Sequence, residues 1–377
     1  MSRPDLVSVV IPAYNAAETL KTTVASALGQ THAALDIIIV DDGSTDITPA
    51  IAREIAASDN RVRYVRKDNG GVATARNFGI ALAEGAFVAP LDADDIWHPT
   101  KIERQLDIMK ASPTPLGFVY CGFRVIDHRG VVLGTAPYYG VEGWGFLQHV
   151  MYNFVGNGSG LLLRREAIEA VGGYDTRLSE EGLQGCEDYQ LQIRIARRYP
   201  VAGTPENLVG YRVGAGRMSS DIERMLRSRI RVFELLLEEE PSLPPDIFAA
   251  GWGFIELRKG LRLFAGPEPR KGLAHMRRGV ARAYPRHLAS LAAITVGWAR
   301  GVLRRRIRAL HAKVTGGPRE LLFDEYDPAN PADAWLDPCV RAHLSALKKK
   351  EMAFAPVGQA PSSHAPAPRP APASLNT

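Results

Sequence analysis

The sequence predicts an α/β protein built on a mixed, mostly parallel sheet, followed by a helical C-terminal extension. Three observations carry that prediction. Short β-branched runs alternate with stretches of helical spacing over residues 7–91, the pattern of βαβ units. The runs are apolar at nearly every position, as in strands covered on both faces. Beyond about residue 220 strand signals give way to helical ones.

Taken in order, Val7-Ser8-Val9-Val10-Ile11 is the first strand. Residues 19–28 follow with Leu20, Val24 and Leu28 at helical spacing. Asp36-Ile37-Ile38-Ile39-Val40 is the second strand and runs into Asp41-Asp42-Gly43-Ser44-Thr45-Asp46. Residues 48–57 are predicted helical, Val62-Arg63-Tyr64-Val65 a third strand, residues 73–83 a helix and residues 86–91 a fourth strand. Right-handed crossovers place the loops after these strands along one edge of the sheet, where open α/β sheets bind ligands. Tyr14, Asp42 and Asp92 are therefore expected to converge just past the strand ends. The division predicted is an α/β domain over residues 1–220, a basic helical region over 221–350 and a disordered Pro/Ala-rich tail over 351–377.

A hydrophobic content of 46% and a charged content of 23% in 377 residues exclude a fibrous or wholly disordered chain. Cys121, Cys186 and Cys339 are too few and too scattered for a disulfide framework or a cysteine zinc site, which points to a reducing, cytoplasmic setting. No signal peptide is expected at the N-terminus. The apolar segment 288–299 falls short of the roughly 20 residues needed to span a bilayer. The net charge of +5 hides a basic block, because residues 258–313 hold fifteen Lys or Arg and one acid, Glu268. Within it Leu303, Ile307, Leu310 and Val314 form one helical stripe among arginines. That pattern fits a helix lying on an anionic membrane surface, here the inner face of the cell membrane, or one packed on the catalytic domain. The block lacks interleaved aromatics, so no nucleic-acid partner is expected.

Three motifs carry chemistry. Asp92-Ala93-Asp94-Asp95 follows a buried strand, and its three carboxylates repel one another unless something positive neutralises them. A hard divalent cation bridging to phosphate would do so, Mn²⁺ or Mg²⁺, although acidic surface turns are also common. Pro12-Ala13-Tyr14-Asn15 offers an aromatic face for a base, or a core aromatic. Asp42 at the end of the second strand suits a nucleobase ring N–H, or a turn.

As a set, these motifs resemble the family 2 glycosyltransferases of the GT-A fold. The resemblance rests on residues 7–15, on Val40-Asp41-Asp42-Gly43-Ser44-Thr45-Asp46, on Asn69-Gly70-Gly71 with Ala75-Arg76-Asn77-Phe78-Gly79, and on Leu91-Asp92-Ala93-Asp94-Asp95. Gly172-Gly173-Tyr174-Asp175 and Glu187-Asp188-Tyr189 extend it, over roughly residues 5–220. It implies that Pro12, Tyr14 and Asp42 hold the base of a nucleotide-diphospho-sugar donor, UDP favoured, with Ala13 and Asn15 also at the nucleotide. Lys67 and Gly71 are placed alongside the nucleotide, and Asp92 and Ala93 at the ribose or the metal shell. Asp94 becomes the metal ligand and Asp95 a support of its loop. Asp188 becomes the general base, with Glu187 as the alternative, and Arg76 and Asn77 brace the aspartate loop. An inverting transfer needs one carboxylate to take the acceptor proton, whereas acids in a first helical turn also serve the helix dipole.

Two departures stand out. Gly214 occupies the place where many relatives carry a His, leaving Arg212, Arg217 or Ser219 to compensate. The Gln-x-x-Arg-Trp pattern of processive members is absent, so one sugar is added per encounter. The acceptor is expected to be a glycan, a lipid-linked molecule or a protein in cell-envelope polysaccharide assembly. Tyr138, Tyr139, Trp144, Phe146, Tyr152 and Phe154 are the candidate acceptor wall, or else core. The alternatives are a catalytically inactive binding module of the same fold and a nucleotidyltransferase, which would carry a Gly-rich basic loop where Pro12-Ala13-Tyr14-Asn15 stands.

Overall fold

The computed structural model describes residues 3–214, 218–266, 268–282, 322–325, 327–328 and 338–354. The four strands expected at the start are present as β1 (Arg3–Ala13), β2 (Leu35–Asp42), β3 (Val62–Lys67) and β4 (Gly85–Pro90). They are connected by α1 (Leu20–Leu28), α2 (Thr48–Ser58) and α3 (Val72–Leu82). All pair in parallel, with β1 between β2 and β4 and with β3 outermost.

The continuous apolar runs have a direct cause. Val7, Val9 and Ile11 with Ile37 and Ile39 face the core shared with α1 and α2, while Val10 with Ile38 and Val40 face the core beneath α3. Each fully buried Val or Ile contributes about 1.5–3 kcal/mol, so neither face can be polar cheaply. Ser8 is the polar interruption, and its hydroxyl is fully used. It donates to Asp36 Oδ2 at 2.9 Å and accepts from the amides of Glu84 and Gly85. Gly79 lets α3 settle on the sheet, since a Cβ there would lie 2.5 Å from Val10 Cγ1 and 3.1 Å from Val40 Cγ2.

After β4 the sheet becomes mixed. β5 (Ile96–Trp97) and α4 (Lys101–Ala111) lead to β6 (Phe118–Ile126), β7 (Val132–Thr135) and α5 (Phe146–Tyr152). β8 (Leu161–Arg164), α6 (Arg165–Ala170), α7 (Arg177–Glu180), α8 (Glu187–Ala196) and β9 (Val201–Arg212) follow. β8 wedges antiparallel between β4 and β6, β9 runs parallel to β6, and β5 closes the far edge, giving the order β3-β2-β1-β4-β8-β6-β9-β5 with β7 on β6. Buried Lys101 ties this half together. Its ammonium donates to Gln105 Oε1 at 2.8 Å and to the Leu161 carbonyl at 3.0 Å, and lies 4.1 Å from the Trp97 ring centre. Burial pushes its pKa down to about 7.

The described C-terminal elements are helical: α9 (Ile222–Glu239), α10 (Pro245–Ala265), α11 (Pro269–Arg282) and a helix at Pro338–Phe354. Phe233, Leu236, Ile247, Phe254 and Leu344 join the core that α5 and α8 share with the sheet. α10 and α11 meet backbone to backbone at glycines. A Cβ on Gly260 would lie 2.7 Å from the Gly272 carbonyl oxygen, and one on Gly279 would lie 2.8 Å from that of Gly253.

In the region 137–160 expected to wall the acceptor site, Asn153, Gly156, Asn157 and Gly158 line the cavity, Trp144 is half-buried, and the other aromatics belong to the core. Phe146, Tyr152 and Phe154 are buried, and Tyr138 and Tyr139 pack on the same cluster. The segments 288–299 and 300–314 and residues 355–377 lie outside the described residues, and so does the membrane expectation built on them, while residues 351–354 of the predicted tail are the end of the helix Pro338–Phe354, with Glu351 buried. Among the described residues no helix is long and apolar enough to cross a membrane.

Candidate active site

A cavity of about 1300 Å³ opens where β1, β2 and β4 end. Pro12, Ala13, Tyr14, Asn15, Asp42 and Gly71 line it, together with Asp92, Ala93, Asp94, Glu187 and Asp188. Of the predicted site residues Lys67 alone is not in the lining.

At one end the loops after β1 and β2 are locked together. Asn15 adopts a left-handed φ of 49°. Its Oδ1 accepts from the amides of Thr45 at 2.9 Å and Asp46 at 3.3 Å, while its own amide donates to Ser44 Oγ at 3.0 Å. Tyr14 beside it is 54% exposed, which rules out the core reading and leaves a ring face for stacking. Asp42 is buried and already committed. It accepts from Lys67 Nζ at 2.7 Å, the Gly70 amide at 3.0 Å and the Gly71 amide at 2.8 Å. A carboxylate has about four acceptor sites, so about one remains for a ligand. The placement of Lys67 alongside the nucleotide is thus corrected: its charge is spent on Asp42. Gly71 needs its φ of 89°, and a Cβ there would overlap the Ser179 hydroxyl.

These partners separate two substitutions. Tyr14→Ala is expected to weaken UDP binding by roughly 1–3 kcal/mol, the worth of a base–aromatic stack, with an unchanged urea midpoint. Asp42→Ala is expected to weaken UDP binding and also to cost about 1–3 kcal/mol of stability, because buried donors lose their acceptor. Calorimetry showing unchanged UDP affinity in both variants would refute this placement of the base.

The three carboxylates of the acidic loop diverge. Asp92 accepts from Arg76 at 2.5 Å. Asp95 is fully buried and accepts from Ser159 Oγ at 2.6 Å and the Arg212 amide at 2.9 Å. Burial, then the charges of Asp94 and Asp92, push the Asp95 carboxyl well above the usual range. Asp94 is partly exposed to the cavity. Arg76 answers Asp92 and the Ser159–Arg212 contacts answer Asp95, which leaves Asp94 as the carboxylate facing the cavity. Arg212, one of the residues that could compensate for the absent His, lines the cavity. Its guanidinium donates to the carbonyls of Asp94, Asp127 and His128 at 2.7–2.8 Å, fixing the loop from behind. Arg217 and the Ser219 side chain lie outside what is described.

Among the described residues no three His, Cys, Asp or Glu are arranged to hold an ion by themselves. Asp94, with Asp92 beside it, instead fits the kind of site that Mg²⁺ and Mn²⁺ favour, one or two carboxylates completed by phosphate oxygens and water.

Across the cavity, α8 opens on Glu187 and Asp188. Glu187 is buried and held, accepting from Arg76 at 3.0 Å and the Gly185 amide at 2.8 Å. Asp188 Oδ1 takes the Tyr189 amide at 2.7 Å. Burial, then the charges of Glu187 and Asp92, push the Asp188 carboxyl up to about 7 against the opposing pull of Arg76. A pKa there suits a general base at neutral pH. Arg76 spans Asp92 and Glu187 and so braces the aspartate loop. Asn77 does not, because it bonds the amide and carbonyl of Tyr174 at 2.9 and 2.7 Å and steadies the Gly172-Gly173 turn.

The sequence reading missed Ser159, which holds both Asp95 and the Asp92 amide. It also missed the wall contributed by α9 and α10, including Arg224, Arg229 and Lys259. Those helices carry no motif, only an amphipathic pattern.

Comparison with known proteins agrees with the geometry. Residues 8–172 match the family described as Glycosyl transferase family 2. An uncharacterized glycosyltransferase of Rickettsia typhi is 32% identical over 211 residues, 55% of this chain and 64% of that one. The chondroitin synthase of Escherichia coli is 38% identical over 135 residues, 36% of this chain and 20% of that one. The matched stretches thus span less than two thirds of either relative. A mannosyltransferase of Pyrobaculum calidifontis, solved in complex with GDP-Man and Mn²⁺, shares the fold with a TM-score of 0.54 at 20% identity, covering 93% of this chain and 89% of that one. Residues 8–172 thus match glycosyl transferase family 2, and the chain has the GT-A fold.

Proposed function

We propose that the protein is an inverting, non-processive glycosyltransferase that moves a sugar from a nucleotide-diphosphate donor, UDP favoured, to a hydroxyl acceptor. The observation that supports it best is one cavity joining Tyr14 and Asp42 at the strand ends, Asp94 on the acidic loop and Asp188 at the start of α8. Its size leaves room for donor and acceptor together. The fold neighbour's complex with GDP-Man and Mn²⁺ supports a nucleotide sugar and a divalent cation as the ligand class.

In this reading Tyr14 stacks the base and the Asn15 and Asp42 contacts hold its two loops in register. Asp94 holds the divalent ion, which supplies charge neutralisation at the departing diphosphate. Asp188 takes the proton of the acceptor hydroxyl as that oxygen bonds to the anomeric carbon. The bond from that carbon to the diphosphate breaks on the opposite face, and the nucleotide diphosphate leaves. Arg76 keeps Glu187 and Asp92 in place without touching the sugar.

Asp94 provides the test. Wild-type protein is expected to consume a UDP-sugar only when Mn²⁺ or Mg²⁺ is present, and Asp94→Ala to lose transfer while its thermal melt is unchanged, because the side chain faces the cavity. Near-normal turnover of Asp94→Ala in Mn²⁺, or wild-type turnover in excess chelator, would remove the metal assignment.

A further inference from the structure

The far wall of the cavity carries charge that the proposed reaction does not use. Arg224 and Arg229 on α9 and Lys259 on α10 all line it. Lys259 pairs with Glu223 at 3.0 Å and Arg224 with Asp221 at 3.8 Å, and both acids are largely exposed. Exposed pairs of this kind contribute about 0–1 kcal/mol and are readily exchanged for an incoming anion. Arg229 has no acidic partner among the described residues. Its guanidinium lies 4.8 Å from the centre of the Tyr189 ring. The Nε atom of Arg229 is buried without a hydrogen-bond acceptor among the described residues. A buried charged donor left in that state is costly unless a ligand completes it.

The location narrows the ligand. Tyr189 directly follows Asp188, and Cys186 at the start of α8 contacts the Met225 carbonyl of α9 at 3.7 Å. Arg229 thus lies against the residue next to the base, and Arg224 and Lys259 line the same cavity, whereas Tyr14 and Asp42 gather at the ends of β1 and β2. A donor spanning Tyr14 to Asp94 leaves the α9–α10 wall to the other substrate.

We propose that this wall is an anion-reading acceptor subsite: the acceptor carries a carboxylate or phosphate close to the hydroxyl that Asp188 deprotonates. The inference rests on the glycosyltransferase reading and names the acceptor class of that site. Clustered cations in a cleft raise the local concentration of such a substrate and reject neutral analogues.

Calorimetry on the full chain saturated with UDP and Mg²⁺ tests it, with glucuronic acid, glucose 6-phosphate and glucose as probes at millimolar concentration. At least one anionic sugar is expected to bind, and the choice between the two distinguishes carboxylate from phosphate. Glucose is expected not to bind. Arg229→Gln combined with Lys259→Gln should weaken the anionic probe about tenfold or more and leave UDP affinity unchanged, while Arg229→Lys should retain binding. Glucose binding as well as the anions, or neither anion binding, overturns the proposal. Equal loss in Arg229→Lys and Arg229→Gln assigns Arg229 to packing on Tyr189 and also overturns it. A parallel fall in UDP affinity places the cations on the donor diphosphate instead. Failure of wild type to bind UDP at all would strike the glycosyltransferase reading itself, so the two failures are distinguishable.

Discussion

Asp188→Asn is expected to lower kcat by roughly 10²–10⁴, the usual worth of general base catalysis, with UDP affinity and thermal stability close to wild type. The amide keeps the shape and can still accept the Tyr189 amide proton, but it cannot take the acceptor proton. The pH profile gives a second reading. In the proposed reaction Asp188 acts as the carboxylate, so the wild-type rate should fall as pH drops through its pKa. Burial raises that pKa to about 7, and a nearby bound cation moves the limb to lower pH. In Asp188→Asn the limb should disappear along with the rate. Glu187→Gln is the necessary control. If it is the inactive variant and Asp188→Asn retains turnover, the roles of the pair are reversed.

Arg76→Met is expected to cost about 3–5 kcal/mol of stability, as when one partner of a buried ion pair is removed. Arg76 is 3% exposed and its guanidinium serves Asp92 at 2.5 Å and Glu187 at 3.0 Å, with the Tyr174 ring 5.2 Å away. Methionine fills much of the volume and answers neither carboxylate. Arg76 also opposes the upward shift of Asp188, so the acid limb of the remaining activity should move to higher pH. Urea unfolding and the pH–rate profile read the two effects separately. Wild-type stability together with an unmoved limb would show that Asp92 and Glu187 do not depend on this guanidinium.

The parts of the fold legible in the sequence are those whose signal is local. β1, β2 and β4 are apolar on both faces, so five consecutive residues suffice to identify each. β8 has four residues and owes its place to antiparallel pairing with β4 and β6, strands whose residues lie some forty to seventy-five positions earlier; nothing in Leu161–Arg164 announces those partners. The site divides in the same way. Tyr14, Asp42 and Asp94 lie at strand ends that topology alone brings to one edge. The divergence of Asp92, Asp94 and Asp95 depends on Arg76, Ser159 and Arg212, which arrive from three other elements. Composition misled where it was least specific: an aromatic-rich segment reads equally as a sugar platform or as core, and here all its rings but Trp144 belong to the core, while the exposed ring belongs to Tyr14.

The glycine contacts between α10 and α11 have a mechanical consequence. Where Gly260 meets Gly272 and Gly279 meets Gly253, the neighbouring atoms include carbonyl oxygens of a helix backbone, not only the loose ends of side chains. A methyl group added at this crossing has no rotamer into which to retreat, and the strain must be relieved by moving a whole helix. α10 carries Ile255 and Lys259 into the cavity and packs on α5 and α9 as well as on α11. The hairpin therefore acts as a stiff strut behind that wall, and its crossing leaves no room for a side chain at Gly260 or Gly279.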